Sequence, residues 1–296
     1  MEQNGENEMW TANQWQDYCL IDGCDGMKLE QWGDFVYQRP DPQIIWKEQA
    51  TPEKWKKSDG IYYRSATGGG NWKFPNERAE QEQVISYRDL RFMIKPMGFK
   101  HMGLFPEQAV NWDFMREQIE SARRDIRVLN LFGYTGGATV ACIASGASVC
   151  HVDAAKGIVA HAKRNIQENK MEGPLIRYIV DDAVKFVTRE IKRGKQYDAI
   201  VMDPPSYGRG PGGEVWKIED ELYGLVDLCS KVLSDNPLFF LINSYTTGLA
   251  PTAVKNLMTM TLVKKFGGKV TTDEIGLPFA NSELILPCGC TARWQC

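Results

Sequence analysis

Five short apolar runs in the second half of the chain, each followed by a segment with helical spacing, constrain the fold more than any other feature. They are IRVLNLF (residues 126–132), ASVCHVD (147–153), PLIRYIV (174–180), YDAIVMD (197–203) and PLFFLIN (237–243). Helical segments begin near Gly137, Ala155, Ala183 and Glu214, and a further one runs from about Thr252 to Phe266. Strands that alternate with helices run parallel, and near-continuous apolarity means that both faces of their sheet are covered. The expectation is an α/β fold built on a doubly wound, mostly parallel sheet. KVTTDEIGL and SELILPCGCTARW have no long helix between them, which suits an antiparallel pair at one edge.

Residues up to about Pro96 read differently. Short runs such as DFVYQ, QIIW, GIYYRS and EQVISY are punctuated by RPDP, TGGG and FPNE, the pattern of short strands and turns. A chain of 296 residues, 43% of them apolar, is long enough for one large and one smaller domain. The expected division is a β-rich substrate-recognition domain over 1–96 and the α/β domain over 97–296.

No apolar run approaches the roughly 20 residues that cross a bilayer, and MEQNGENEMW has neither the basic start nor the apolar stretch of a signal peptide. A cytoplasmic protein is expected, with no membrane partner. The eight cysteines are not at framework spacings. Cys288, Cys290 and Cys296 form C-x-C-x5-C without a fourth ligand, so no metal site is expected. The net charge of −3 provides no global field for a nucleic acid. Locally, however, Lys54, Arg64, Lys73 and Arg88 alternate with Trp55, Tyr62 and Trp72, and rings among cations can stack bases while the cations hold phosphates. An ordinary solvated face explains the same pattern, because acidic residues are mixed in.

In a doubly wound sheet ligands bind beyond the carboxyl ends of the strands, near the point where strand order reverses. Four strand ends carry motifs. The first is Phe132, Gly133, Tyr134, Thr135, Gly136 and Gly137, where missing side chains would let a ligand lie against backbone amides. Its G-x-x-G-G spacing matches the dinucleotide fingerprint G-x-G-x-x-G poorly, which disfavours an NAD-linked enzyme. The second strand ends at Asp153, next to Ala154, where a carboxylate can accept from both hydroxyls of a ribose. The third ends in DDA, where Asp182, before Ala183, can accept from an exocyclic adenine amine. The fourth ends in DPPSYGRG: two prolines stiffen the turn and aim Asp203 and nearby carbonyls at the cleft. A flat base can lie against Pro205 and Tyr207, while Arg209 can hold a phosphate or carboxylate. A turn or a helix cap accounts for any one of these features; four at successive strand ends is a stronger pattern.

Together LNLFGYTGG, Asp153, DDA and DPPSYGRG resemble the class I S-adenosylmethionine-dependent methyltransferases, in particular the bacterial subgroup related to the 23S rRNA cytosine-C5 methyltransferases. GFKHMGLFPEQAVNWDFM (98–115) resembles the segment leading into the Rossmann-like domain of that subgroup. The resemblance implies S-adenosyl-L-methionine as cofactor and S-adenosyl-L-homocysteine as product. It implies that residues 132–137 pass the methionine part, that Asp153 binds the ribose and Asp182 lies near adenine, and that Phe105 and Gln108 lie near the cofactor. It also implies RNA methylation, with ribosomal RNA as partner.

The departures shape the expected chemistry. Cytosine-C5 methylation needs a cysteine thiolate to add to the base, and in the related enzymes it follows the fifth strand. Here that stretch is LINSYTTG, and DPPS has Ser206 rather than a cysteine. Only Cys24, Cys288 or Cys290 could supply a thiol from elsewhere. No PUA-like RNA-binding module is recognisable at the start. The expected reaction is therefore direct in-line transfer to an RNA base. Asp203, Pro204, Pro205 and Tyr207 would form the catalytic turn, with Ser206, Arg209, Ser244 and Tyr245 contacting substrate. Trp55, Trp72 and Arg64 are candidate contacts in the front half. The alternatives are a methyltransferase of a small molecule or protein side chain, and a cofactor-binding protein without turnover.

Overall fold

The computed structural model describes residues 9–65, 69–209 and 215–296. The acidic start, part of TGGG and the expected helix start at Glu214 lie outside them. The chain divides into two compact units: Thr11–Val110 with Gly276–Cys288, and Asn111–Ile275 with Gly289–Cys296 and the segment ending at Trp10. The sequence placed its single division at residue 96 and did not foresee the returning segment 276–288.

The first unit is β-rich, as expected. After β1 (Trp10–Thr11), strands β2 (Tyr18–Cys24), β3 (Met27–Trp32), β4 (Phe35–Pro40), β5 (Gly60–Arg64) and β6 (Gly70–Lys73) form one sheet in that order, with the short helix α1 (Pro52–Lys56) between β4 and β5. A hairpin of β7 (Gln83–Tyr87) and β8 (Leu90–Ile94) follows. QIIW, read as strand-like, is irregular. Its Trp46 and Ile44 carbonyls accept the Asp25 and Gly26 amides, so it closes the β2–β3 turn rather than extending a ladder.

In the second unit, α2 (Ala109–Ala122) precedes the alternating series. The series is β9 (Arg127–Leu131), α3 (Gly137–Ala144), β10 (Ser148–Asp153), α4 (Lys156–Glu168), β11 (Ile176–Val180), α5 (Ala183–Lys192) and β12 (Ala199–Met202). A hairpin not foreseen in the sequence, β13 (Tyr207–Arg209) with β14 (Val215–Lys217), leads into α6 (Ile218–Ser230). Then come β15 (Phe239–Ser244) and α7 (Pro251–Met258). The latter starts with a proline whose absent N–H costs a first turn nothing, and continues through a wider π turn, Thr259–Val263, into α8 (Lys264–Phe266). Strands β16 (Lys269–Pro278) and β17 (Ile285–Gln295) end the chain.

The large sheet runs β11-β10-β9-β12-β15-β17-β16-β1. β10 pairs in parallel with β9 and β11, and β12 with β9 and β15, whereas β17 runs antiparallel to β15. This is the Rossmann-like doubly wound sheet that the alternation implied. Its order reverses between β9 and β12, which puts the two most distinctive loops side by side at the switch point. Leu129, Leu131, Ile200, Met202, Phe240 and Ile242 carry the core under α5 and α6. Among the described residues no helix is long and apolar enough to cross a membrane.

The first unit also buries charge. Glu30 is fully buried, takes Arg39 Nε at 2.6 Å and Nη2 at 2.9 Å, and accepts the Tyr18 hydroxyl at 2.7 Å. Burial pushes its carboxyl up, but Arg39 and Lys28 outweigh that and hold it down at about 2. Removing one partner of such a pair strands the other. Arg39→Met is therefore expected to cost about 3–5 kcal/mol, read as a lower urea midpoint at unchanged slope; a variant as stable as the parent would show that the pair carries no such weight.

Candidate active site

The loop after β9 is bent against the preference of its residues. Phe132 and Tyr134 hold φ at 55° and 49°, and Gly136 at 88°. Left-handed backbone at a bulky residue costs on the order of 1–3 kcal/mol and persists only where the surroundings over-determine it. Here they do. Gly133 N–H donates to Val152 O at 3.0 Å, Tyr134 N–H to Asp153 Oδ2 at 3.0 Å, and Asn165 Nδ2 to Thr135 O at 2.7 Å.

The glycines are there for a different reason from the one the sequence suggested. A Cβ on Gly133 would lie 2.5 Å from His151 Cε1 and Nδ1, one on Gly137 2.8 Å from Trp112 Cζ2, and one on Gly136 3.0 Å from Ala162 Cβ. The space beside each is filled by protein, so the glycines let the loop sink onto β10, α2 and α4 rather than making room for a ligand. Thr135 is likewise fully buried, so only its backbone is placed to line the loop. Phe132 and Tyr134 remain as half-exposed side chains of the loop.

Asp153 ends β10 half-buried, and each of its oxygens accepts one amide: Oδ2 from Tyr134, and Oδ1 from Ala155 at 2.9 Å. A carboxylate has about four acceptor sites, so two stay available for a pair of ribose hydroxyls. Ala154 beside it is exposed. Asp182 is exposed and caps α5, its Oδ1 taking Lys185 N–H at 2.9 Å, which still leaves acceptor capacity at the carboxylate. The Ala183 methyl belongs to the core. Asp181 N–H donates to Asp153 O at 3.1 Å, tying the third strand end to the second. These residues fit an adenosine-bearing cofactor: a shaped backbone loop, a carboxylate with two unused acceptor sites, and a second carboxylate on the next strand end.

The acceptor turn follows β12. Asp203 Oδ1 accepts Asn243 Nδ2 at 3.1 Å. Pro204 is buried, whereas Pro205, Ser206 and Tyr207 are exposed, Tyr207 by 51%. The Pro205 carbonyl already accepts Trp216 Nε1 at 2.6 Å, and the Ser206 and Thr246 hydroxyls bond to each other at 2.6 Å. Arg209 closes β13 with its backbone opposite Val215. Trp216 also lies 5.7 Å from the Phe132 ring, so one indole joins the glycine loop to the acceptor turn. Ser244, expected at the substrate, is buried, and its Oγ accepts the Thr246 amide at 3.2 Å; it shapes the turn instead. Tyr245 after it is half-exposed.

Phe105 and Gln108 belong to the first unit, at the start and end of a short turn. Trp55 is buried there with Nε1 on Asp22 Oδ2 at 2.9 Å, which corrects its expected contact role. Trp72 is half-buried, stacked on Phe74 and bonded to the Met97 carbonyl, while Arg64 is exposed. None of the three candidate thiols is activated. Burial raises Cys24, raises Cys288 well above the usual thiol range, and pushes Cys290 up to about 11, with Glu274 and Asp203 adding to the last.

Sequence reasoning missed Trp216, Asn165 and the polar residues beneath the site: His151, Thr139 and Asn130 under the loop, and Asn111, Thr291 and Arg293 behind Asp203. A signal existed for some. Asn130 and Asn243 stand alone in apolar strands, where a buried amide must find partners.

Two outcomes test the loop's foundation. Gly133→Ala forces a methyl into the His151 ring, an overpacking worth about 1–3 kcal/mol. Calorimetric titration should show S-adenosylhomocysteine affinity reduced at least about tenfold; unchanged affinity would mean that the loop can shift without consequence. His151 is buried, and burial depresses its pKa to about 4. The unfolded chain therefore binds the extra proton first, and stability present above about pH 6.5 falls as pH drops toward 4. By pH 5 the loss from this imidazole is about 2 kcal/mol, and His151→Asn should flatten that part of the melting-temperature profile.

Comparison with known proteins agrees with the site. Residues 62–225 match the family model of S-adenosylmethionine-dependent methyltransferases. A solved S-adenosylmethionine-dependent methyltransferase from Agrobacterium tumefaciens is 36% identical and superposes at a TM-score of 0.91 over 97% of this chain and 93% of that one. Another structure, containing S-adenosylhomocysteine, is 18% identical with a TM-score of 0.72 over 95% of this chain and 76% of its own, and shows the shared fold. Ribosomal RNA large subunit methyltransferase I from Cronobacter sakazakii is 27% identical over 66% of this chain and 55% of its own length. Ribosomal RNA large subunit methyltransferase K/L from a Shewanella species is 29% identical over 52% of this chain and 22% of its own. The chain thus spans about half the length of the first of these curated relatives and less of the second. With the loop, the strand-end carboxylates and the acceptor turn in place, the chain belongs to the S-adenosylmethionine-dependent methyltransferases.

Proposed function

We propose that the protein methylates a base of RNA, ribosomal RNA in the first instance, by direct in-line transfer to a nitrogen. The observation that carries this reading is Asp203. It sits at the switch point and is oriented by Asn243, and its turn is joined to the glycine loop through Trp216, which bonds the Pro205 carbonyl and lies against Phe132. The names of the curated relatives support the RNA class.

S-adenosylmethionine, when bound, would supply an electrophilic sulfonium methyl group to a lone pair of the acceptor, with S-adenosylhomocysteine as the leaving group and the acceptor's surplus proton passing to water. The chain's residues align and desolvate rather than activate. Residues 132–137, Asp153 and Asp182 would hold the cofactor, Asp182 by accepting from the adenine amine. Asp203 and the Pro204 carbonyl accept from an N–H of the acceptor, and Tyr207 offers an exposed ring for stacking. The Pro205 carbonyl has a smaller part, since Trp216 occupies it. A covalent cysteine route is disfavoured by the raised thiols. The β-rich unit presents the RNA through exposed groups such as Arg64 and Tyr63. A ribosomal acceptor and free cysteines both suit a cytoplasmic location.

The net charge of −3 favours a second reading, a small-molecule or protein acceptor. Salt separates the two: RNA binding weakens steeply with ionic strength, and a neutral metabolite's hardly changes.

The test incubates the protein with methyl-labelled S-adenosylmethionine and unmodified ribosomal RNA, and identifies the labelled nucleoside by mass. An N-methylated base is expected; 5-methylcytidine would overturn the non-covalent route, and absence of label would overturn the RNA acceptor. Asp203→Ala should abolish transfer while leaving S-adenosylhomocysteine affinity within a few-fold, and a fully active variant would remove Asp203 from the site.

A further inference from the structure

Behind Asp203 a line of buried polar side chains crosses the second unit. Arg293, on β17, donates to Asn111 Oδ1 on α2 from Nη2 at 2.9 Å and from Nε at 3.3 Å. Asn111 Nδ2 donates to Thr291 Oγ1 at 2.8 Å, and Thr291 Oγ1 donates to Asn243 Oδ1 at 2.9 Å. Asn243 Nδ2 then donates to Asp203 Oδ1 at 3.1 Å. Asn111, Thr291 and Asn243 are all but inaccessible, and Thr291 faces Asn243 in register on the neighbouring strand.

The direction of this line follows from chemistry. An asparagine amide can point either way, but a guanidinium can only donate. Arg293 therefore fixes the Asn111 oxygen toward itself and its NH2 toward Thr291. The single threonine hydrogen, with its oxygen already accepting, goes to the Asn243 oxygen. The Asn243 NH2 is left facing the carboxylate. A reversed Asn243 would set oxygen against oxygen. The guanidinium is itself held in place, 3.9 Å above the Trp10 ring and 4.6 Å from Phe114, with Asp113 and Glu117 of α2 balancing part of its charge. Burial lowers its pKa to about 10, so it stays charged at neutral pH. A sheet core would be filled more cheaply by apolar side chains. This one spends four polar groups on a line that ends at the acceptor turn.

We propose that Arg293 is a positioning residue for Asp203, acting through Asn111, Thr291 and Asn243. The proposal rests on the reading of Asp203 as the residue that meets the acceptor. Its consequence is that the Asp203 carboxylate is held in one orientation as an acceptor, so breaking the line far from the cleft slows methyl transfer without weakening cofactor binding.

Thr291→Val removes the hydroxyl at nearly constant volume, and Thr291→Ser retains it. On the full chain, Thr291→Val should lower kcat by roughly 10- to 100-fold, the scale of a misplaced reacting group, with S-adenosylhomocysteine affinity within about twofold. Thr291→Ser should restore kcat to within about threefold. Arg293→Lys should slow the parent protein but cost nothing further in the Thr291→Val background, because the line is already cut; multiplying effects would overturn the relay. An activity-independent arm follows the side-chain amide signals of Asn243 by NMR: they should move in Thr291→Val and return in Thr291→Ser. Unmoved signals, or wild-type kcat in a folded Thr291→Val protein, overturn the proposal. Signals that move in a protein that methylates no RNA uphold the line and overturn the RNA reading alone.

Discussion

One carboxylate holds the site together. Asp153 accepts the Tyr134 amide through one oxygen and the Ala155 amide through the other, while its carbonyl takes the Asp181 amide. Three successive strand ends are thereby tied to a single residue. Without it, Tyr134 would lose the side-chain acceptor that helps to hold its left-handed turn, and such a turn costs free energy that only well-placed partners offset. Everything else in the cleft depends on that loop being where it is. Phe132 reaches Trp216, and Trp216 holds the Pro205 carbonyl, so the turn after β12 is joined to the glycine loop.

Buried polar groups serve differently in the two units. The cluster of Glu30, Arg39 and Tyr18 joins three neighbouring strands of one sheet, and Arg39 Nη1 reaches on to the Lys100 carbonyl at 2.9 Å. It specifies how β2, β3 and β4 assemble. The line from Arg293 runs between elements of the second unit and reaches Asp203 through Asn243. The low-dielectric surroundings that make each of its links costly to break also make its direction well defined.

The alternation of strands and helices was readable because period-2 and period-3.6 patterns are written locally, and the strand-end positions of Asp153, Asp182 and Asp203 followed from it. The shape of the site was less so. Gly133 and Gly137 are plain in the sequence, but that His151 and Trp112 fill the space beside them depends on residues brought close only by folding. QIIW has the composition of a strand and lacks a partner ladder, so propensity misled there. Trp55 sits among lysines like a surface ring, yet it reaches inward to Asp22. The links Asn111, Thr291 and Arg293 lie up to 182 positions apart and share no motif, which is why no spacing could announce them.

The measurement closest to the central claim is amide hydrogen exchange of the intact protein with and without S-adenosylhomocysteine. If the three tied strand ends form one cofactor site, protection should rise together at residues 132–137, at 153–155 and at 181–183, and little elsewhere in the large sheet. Tight binding that leaves the 132–137 amides exchanging as before would contradict the account, because the ligand would then rest on some other part of the fold.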